Sequence, residues 1–256
     1  LLAYFIAKKI KKQTSAKNVV DLFCGAGGLS KGFEWAGYNV IAANDNYKQA
    51  CETYRLNHPK TKLIEGDITK EEIKNALFEA IKGKTIDIII GGPPCQGFSH
   101  AGKRLIDDPR NFLFKEFVEI VKQVKPKVVV LENVEVILSM NKGKSFESIK
   151  DSFKELGYKL DGRKLHAVRY GVPQKRKRVV MIGVLDGDPS NCYPEEIFQD
   201  ESKYLTVREA IDDLPEIVVN GGSHIIDKEI KPNSNYQKFL SGQITIEEFE
   251  KSLYQR

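Results

Sequence analysis

One cysteine of this chain lies where a thiol would be presented to solvent rather than packed in a core. Cys95 directly follows Gly91–Pro94, a glycine pair and two prolines that come after a run of apolar residues. The prolines fix the backbone before the cysteine, whereas a structural cysteine would more often lie inside an element than on a Gly/Pro loop, as Cys51 does on its predicted helix. The position therefore predicts a nucleophile. An unperturbed thiol has a pKa of about 8.5, so loop N–H groups or a nearby arginine must favour the thiolate.

A carboxylate ends the next apolar run. Glu132 and Asn133 follow Val128–Leu131, and we expect this strand to lie beside the one that precedes Cys95. Glu132 would then face the same crevice as the thiol and could act as a general acid. For Asn133 two interpretations stay open, a functional side chain or the N-cap of a following helix.

A glycine-rich segment, Asp21–Gly28, lies where a strand is predicted to turn into a helix. Glycines let the backbone approach a ligand and the helix N-terminus supplies N–H groups, although a tight turn alone also requires glycine. Asp45 and Asp67 end the next two apolar runs. Carboxylates at the ends of parallel strands face the ligand crevice, where Asp45 suits a ribose diol and Asp67 an exocyclic amine. The pattern G-x-G-x-x-G is not met, which disfavours nicotinamide and flavin cofactors.

Basic residues cluster late in the chain. Residues 162–185 contain seven lysines and arginines and no acid. A charge run is usually a solvated face, and Lys175 and Lys177 fit that interpretation. Arg176 and Arg178 alternate with them and would point to the opposite face of a strand. They could contact phosphate, or fix a base and the Glu132 carboxylate through bidentate hydrogen bonds.

Composition excludes several classes. The 256 residues include 41% hydrophobic and 29% charged residues, with 40 basic and 35 acidic side chains for a net charge of +5. These values are typical of a folded globular protein and exclude disordered and fibrous chains, and no apolar run could cross a bilayer. The four cysteines and four histidines are scattered, so we expect reduced thiols and no metal site.

Short β-branched runs alternate with helical stretches, which predicts βαβ units and a doubly wound, mostly parallel α/β sheet. The predicted strands are Asn18–Phe23, Asn39–Asn44, Lys62–Asp67, Ile86–Ile90, Val128–Glu132, Arg178–Leu185 and a weaker one near Lys164–Val168. The predicted helices are Leu1–Lys12, Leu29–Ala36, Lys48–Asn57, Lys70–Lys82, Phe112–Val124 and Ser145–Leu156. Alternation stops after Leu185, and we predict one domain over residues 1–215 and the start of a second, less regular region over 216–256.

These four blocks, in this order, resemble the cytosine-5 DNA methyltransferases, bacterial modification enzymes, from about Asn18 to Leu185. The blocks are D-L-F-C-G-A-G-G, G-G-P-P-C-Q-G-F-S, E-N-V and Q-K-R-K-R. The resemblance implies a seven-stranded sheet with its last strand antiparallel, S-adenosylmethionine as methyl donor, and a role in restriction-modification in the cytoplasm of a bacterial or archaeal cell. It also implies double-stranded DNA as substrate, with the target cytosine flipped out of the duplex.

The resemblance also assigns roles to residues. Cys95 would add to cytosine C6, Glu132 would hold or protonate N3, and Arg178 would contact O2 with Arg176 beside it. The donor pocket would comprise Phe23, Gly25, Gly28, Asp45, Asp67, Ile68, Pro94 and Leu113. The substrate would meet Pro93, Gln96, Ser99, Arg110, Asn133 and Gln174. Asp107–Asn111 would belong to a loop that closes over DNA.

The chain also departs from the family pattern. Leu205–Ala210 resembles the hinge before the target-recognition region, but no later block follows it. Leu1–Ile10 resembles the tail of the family's final helix, placed ahead of the first strand, and an unrelated amphipathic helix is an equal alternative. We therefore expect a circularly permuted protein or a piece of one. Most of the recognition surface would then lie on a missing segment or a second polypeptide.

Three other functions stay open or are disfavoured. A tRNA-directed enzyme of the same fold would usually read P-F-T in the residues after the catalytic cysteine, whereas this chain has Gly97-Phe98-Ser99, which favours DNA. A non-catalytic partner would have no need of Cys95, Glu132, Arg176 and Arg178 together. An adenine-N6 methyltransferase would use an Asp/Asn-Pro-Pro-aromatic loop without a cysteine.

Overall fold

The computed structural model describes residues 1–94, 112–216 and 230–256. The chain divides into two compact units. The first comprises Leu1–Leu165 and Lys177–Pro194, and the second His166–Arg176 and Glu195–Arg256.

A seven-stranded sheet forms the centre of the first unit. Its strands are β1 (Asn18–Leu22), β2 (Asn39–Asp45), β3 (Lys62–Glu65), β4 (Ile88–Gly91), β5 (Val128–Asn133), β6 (Tyr158–His166) and β7 (Lys177–Leu185), in the order β3-β2-β1-β4-β5-β7-β6. The strands from β3 to β5 are parallel, and β7 pairs antiparallel with β5. This arrangement confirms the predicted doubly wound sheet with its last strand reversed.

Helices connect the strands and cover the sheet. They are α1 (Leu2–Gln13), α2 (Gly28–Trp35), α3 (Lys48–Asn57), α4 (Glu71–Ile81), α5 (Phe112–Val124) and α6 (Lys144–Glu155). Val128–Leu131 of β5 and Ile88–Ile90 of β4 are fully or almost fully buried, as expected for strands covered on both faces. Phe117 of α5 and Phe153 of α6 lie in the same core cluster as these strands.

One predicted strand is misplaced. The structure has β6 at Tyr158–His166 rather than near Lys164–Val168. The strand lies at the edge of the sheet, and Lys159, Arg163 and Lys164 are exposed. Charged residues on an edge strand protect it from pairing with other chains, and they also remove the continuous apolar run by which the central strands were predicted.

The first helix is part of the core. Tyr4, Ile6 and Ile10 of α1 are almost completely buried. A Cβ atom at Gly32 of α2 would lie 2.4 Å from Cβ of Ala3, so the absence of a side chain lets the two helices touch. No helix within the described residues is long and apolar enough to cross a membrane.

In its described residues the second unit contains three short α-helices, α7 (Val207–Ile211), α8 (Asn235–Leu240) and α9 (Ile246–Tyr254). Each begins with a capping box, which satisfies helix N–H groups at both ends of the box. The unit includes residues before the predicted boundary at 215, because Arg169 pairs with Glu196 and Leu253 of α9 packs on Gly171.

Candidate active site

A cavity of about 260 Å³ opens at the carboxyl ends of β1–β4. From β1 the strand order runs outward to β2 and β3 on one side, and from β4 it runs outward to β5 on the other. Doubly wound sheets bind ligands at such a switch point, here between β1 and β4. The cavity is lined by Phe23, Asn44, Asp45, Asn46, Gly66, Asp67, Ile68, Gly92, Pro94 and Leu113. Six of the eight predicted donor residues lie on this lining; Gly25 and Gly28 do not.

Asp45 joins the cavity to the glycine-rich loop. Its Oδ2 accepts the N–H of Gly25 at 2.8 Å, and its Oδ1 accepts the N–H of Tyr47 at 2.8 Å. Gly25 therefore contacts the cavity lining through its backbone. Gly28 is the first residue of α2 and has open space around its Cβ position.

Phe23 reaches the cavity from a left-handed backbone conformation. Its φ is +57°, which non-glycine residues adopt rarely and at a cost of roughly 1–3 kcal/mol. The ring packs against the main core cluster, and the next residue, Cys24, donates its N–H to the carbonyl of Asn44 at 3.0 Å. Strand and core thus hold Phe23 in this conformation.

The opposite wall follows β3. Oδ1 of Asp67 accepts both the N–H and the hydroxyl of Thr69, at 3.0 and 2.9 Å. The amide of Asn44 donates to the carbonyls of Ile64 and Gly66, at 2.9 and 3.0 Å, and so joins the ends of β2 and β3. Sequence reasoning missed four lining residues, Asn44, Asn46, Gly66 and Gly92. For Asn44, an amide at the end of an apolar run was the available signal.

Glu132 and Arg178 form an ion pair beside this cavity. Nε of Arg178 lies 2.8 Å from Oε1 of Glu132, and both side chains are partly buried. Glu132 stands opposite Val180 in the antiparallel register of β5 and β7, which makes Arg178 its diagonal cross-strand neighbour. A Cβ atom at Gly92, which lines the cavity, would lie 3.8 Å from Oε2 of Glu132.

Asn133 fixes the backbone that leads to Cys95. Its amide donates to the carbonyl of Pro93 at 3.2 Å, and its Oδ1 accepts the N–H of Val134 at 2.8 Å. The helix-cap alternative is wrong, because the residue that precedes the next turn is Val134 and no side chain caps it. Pro93 and Asn133 are both buried.

The family model of C-5 cytosine-specific DNA methylases matches residues 17–253. This chain belongs to that family. Type II methyltransferase M1.HphI of Haemophilus parahaemolyticus is 41% identical over 218 residues, covering 84% of this chain and 57% of that protein. M.DdeI of Desulfomicrobium norvegicum is 43% identical over 229 residues, covering 86% and 54%.

The chain spans little more than half the length of these curated relatives. A shorter relative, M.AquIA of Picosynechococcus, is 40% identical over 222 residues, which cover 78% of this chain and 89% of that protein. Among solved structures, a prophage-encoded DNA modification methyltransferase of E. coli superposes with a TM-score of 0.68 at 32% identity, covering 90% of this chain and 66% of the other. Dnmt2 of S. pombe shares the fold, with a TM-score of 0.60 at 22% identity over 78% of this chain and 62% of its own.

Several predicted residues of this methylase-family chain lie outside the described residues. They are Cys95, Gln96, Ser99 and Arg110, together with the predicted loop Asp107–Asn111. Gln174 and Arg176 belong to the second unit, where the N–H of Arg176 bonds to the carbonyl of Gln174 at 2.7 Å and its carbonyl accepts from Ala167 at 2.8 Å. The roles of all these residues stay predictions.

The three described cysteines lie in the protein interior, unlike the exposed loop position that the sequence predicts for Cys95. Cys24, Cys51 and Cys192 are free thiols and all are buried. Burial raises the pKa of each thiol above its ordinary value. A raised pKa keeps a thiol protonated and a poor nucleophile at neutral pH.

Proposed function

We propose that this chain transfers a methyl group from S-adenosylmethionine to C5 of cytosine in duplex DNA, in a restriction-modification system. The observation that carries the proposal is the position of one ion pair. Oε1 of Glu132 pairs with Arg178, and Oε2 of Glu132 would lie 3.8 Å from a Cβ atom at Gly92, which lines the cavity at the switch point of the sheet. A donor cavity and an acid-base group thus share one edge, and the chain continues from this wall into Cys95.

The cavity lining suits an adenosyl donor. Asp45 and Asp67 supply carboxylates for a ribose diol and an exocyclic amine, and the lining also includes the apolar side chains of Phe23, Ile68 and Leu113. When bound, the donor supplies a methyl group on a positively charged sulfur. Acidic groups and apolar surface in one cavity fit a ligand that has a cationic centre and a flat ring.

The remaining chemistry falls to the chain's own residues. Cytosine C5 is a poor nucleophile, because the ring is electron-poor. Addition of the Cys95 thiolate to C6, with Glu132 donating a hydrogen bond or a proton at N3, moves electrons toward C5. C5 can then form a bond to the methyl carbon as the methyl–sulfur bond breaks and its electron pair stays on the sulfur, which leaves as a neutral thioether. Loss of the C5 proton to water returns its electron pair to the ring and expels the thiolate, and a proton placed on N3 returns to Glu132.

Arg178 supports the acid by orienting it. Nε of Arg178 holds Oε1 of Glu132 at 2.8 Å, and the side chain also donates to the carbonyl of Lys177. A carboxylate held by a planar guanidinium has a defined orientation. We therefore propose that Glu132 contacts N3 of the cytosine. Arg178 orients the Glu132 carboxylate and contacts O2 of the cytosine.

We propose that most of the target-recognition surface lies on a further segment or on a second polypeptide. The chain spans 54–58% of M1.HphI, M.DdeI and M.AgeI but 89% of M.AquIA. By itself it would bind DNA weakly, with an affinity that falls as salt rises.

Covalent trapping tests this function. The chain is incubated with S-adenosylmethionine and duplex DNA containing 5-fluorocytosine, which lacks the proton whose loss expels the thiolate. We expect an adduct at Cys95 by mass spectrometry and none with Cys95→Ser, whereas Cys51→Ser, a buried cysteine on α3, should still form it. A chain that forms no adduct with DNA but methylates tRNA would support the tRNA-directed alternative instead.

A further inference from the structure

A buried hydrogen-bond chain lies behind the glycine-rich loop and outside the cavity lining. The hydroxyl of Ser30 donates to Oδ2 of Asp21 at 2.6 Å, and the N–H of Ser30 donates to the same oxygen at 3.2 Å. The hydroxyl of Tyr54 lies 2.8 Å from Oγ of Ser30. All three residues are fully buried. With Asp21 ionised, Ser30 donates to the carboxylate and Tyr54 donates to Ser30.

This chain of hydrogen bonds caps helix α2. The residue at the N-cap position is Gly27, which has no side chain to accept the free N–H groups of the first turn. Asp21 accepts one of them, from Ser30. An acceptor oxygen at this position satisfies one of the N–H groups that the glycine at the N-cap leaves without a side-chain partner. Asp21 thus does from β1 what an N-cap side chain would do.

Helix α3 fixes the same loop by direct contact. A Cβ atom at Gly27 would lie 2.2 Å from Nε2 of His58 and 2.9 Å from Cδ2 of Tyr54. The two rings are in contact, with centroids 4.3 Å apart and planes tilted by 30°, and Nδ1 of His58 bonds to Oε1 of Glu34 on α2 at 2.8 Å. Gly27 therefore has no room to move toward α3.

The loop is held from its other side by the cavity. Gly25, two residues before Gly27, donates its N–H to Asp45 on the lining. Between these points the N–H of Gly27 bonds to the carbonyl of Cys24 at 2.9 Å. Displacement of Gly27 would therefore reach Gly25 and Asp45 through two hydrogen bonds.

We propose that Tyr54, Ser30 and Asp21 are positioning residues for the methyl donor, because they hold the loop Phe23–Gly28 in the shape that lets Gly25 fix Asp45. The inference rests on the proposed function, since it concerns the same cavity. It assigns a role in donor affinity to side chains that do not line the cavity.

The test compares two tyrosines that each lose one buried hydroxyl. Tyr54→Phe removes the bond to Ser30, and we expect the Kd for S-adenosylmethionine, measured by calorimetry on this chain, to rise roughly fivefold, as for the loss of one hydrogen bond. Tyr158→Phe removes an equivalent bond to the carbonyl of Pro126, away from the loop. This control should lower Tm but leave the Kd unchanged. In methylation assays the KM for the donor should rise with Tyr54→Phe while kcat changes little.

Ser30→Ala serves as a second variant, because it removes the hydroxyl that bonds to both Asp21 and Tyr54. It should weaken donor binding at least as much as Tyr54→Phe does. If Tyr54→Phe and Ser30→Ala lower Tm as the Tyr158→Phe control does and bind the donor as tightly as the parent, the three residues are merely structural and this inference is overturned. A parent chain that binds no S-adenosylmethionine would instead refute the proposed function and this inference with it.

Discussion

Arg178 and Glu132 are joined across two antiparallel strands, with Nε and Oε1 2.8 Å apart. The register of β5 and β7 makes them diagonal neighbours, and both lie near the carboxyl end of β5. Glu132 of β5, a central strand of the sheet, thus pairs with a cation on β7, the antiparallel strand beside it. Without β7, the carboxylate of Glu132 would lose this cation.

Replacement of Glu132 by Gln keeps the size of the side chain and removes its acid-base group. We expect kcat for methyl transfer to fall by roughly 10²- to 10⁴-fold, the usual contribution of a general acid or base. The Kd for S-adenosylmethionine should stay within twofold of the parent's, because Glu132 does not line the cavity. Glu135→Gln is the matched control, since Glu135 is exposed and pairs only loosely with Lys164 at 3.8 Å. Full activity of Glu132→Gln would remove Glu132 from the chemistry.

Asp45→Ala should weaken donor binding for two reasons. It removes a carboxylate from the cavity and releases the N–H of Gly25. We expect a loss of about 1–3 kcal/mol in binding free energy, measured by calorimetry. Asp188→Ala is the control, because this exposed aspartate also accepts a backbone N–H, that of Ser190 at 2.9 Å, and does not line the cavity. Equal donor affinity for both variants would contradict the assignment of Asp45.

Asp21 should make stability depend on pH. Burial raises the pKa of this carboxyl from 3.8 to about 7, with a smaller contribution from Asp45, while hydrogen bonds from Ser30 oppose the rise. The pKa of Asp21 is higher in the folded protein than in the unfolded chain. Between about pH 4 and pH 7 the folded state therefore binds this proton more tightly than the unfolded chain does. The contribution of Asp21 to the free energy of unfolding therefore decreases as pH rises from about 4 to about 7.

The measurement is denaturant unfolding of the parent and Asp21→Asn at pH 5, 6, 7 and 8. Asn at this position does not titrate, so the variant should gain stability relative to the parent as pH rises. The groups that face Asp21 are Ser30 of α2, Tyr54 of α3, Asp45 of β2 and Cys24 of the loop. Cys24 and Tyr54 have pKa values raised by burial and stay neutral over this range. Parallel stability curves for the two proteins would contradict the raised pKa.

Gly32→Ala tests the packing of α1. The new methyl carbon would lie 2.4 Å from Cβ of Ala3 and 2.6 Å from the backbone nitrogen of Tyr4. Overpacking of this kind costs about 1–3 kcal/mol, and we expect a lower Tm together with faster proteolysis within α1. Gly28→Ala is the control, because its Cβ position is open. If Gly32→Ala is as stable as the parent, α1 does not pack on α2 in this way.

The sheet and much of the cavity were predictable because local chemistry decides them. Buried parallel strands produce continuous apolar runs, and a ligand cavity at their carboxyl ends requires polar residues such as Asp45 and Asp67 directly after those runs. Leu113 lies far from them along the chain and was assigned through family resemblance alone. Leu113 lies on α5, and no pattern of residues within a strand indicates that a helix residue will line the cavity.

Other features depend on contacts between elements and had no local signal. The edge strand β6 alternates charged and apolar residues, so its limits were misplaced. Asn133 is of a residue type that often caps helices, yet its amide bonds to the carbonyl of Pro93 in the loop after β4. Tyr54 and His58 read as ordinary residues of an amphipathic helix, and only the fold brings their rings against Gly27.

The place of β7 in the sheet bears on how the polypeptide folds during its synthesis. This strand is the last of the seven along the chain, yet it lies between β5 and β6 rather than at an edge. Until Leu185 has left the ribosome, one side of β5 has backbone groups without their final partner. The nascent protein must therefore protect an apolar strand edge from aggregation until β7 inserts between two strands that were made before it.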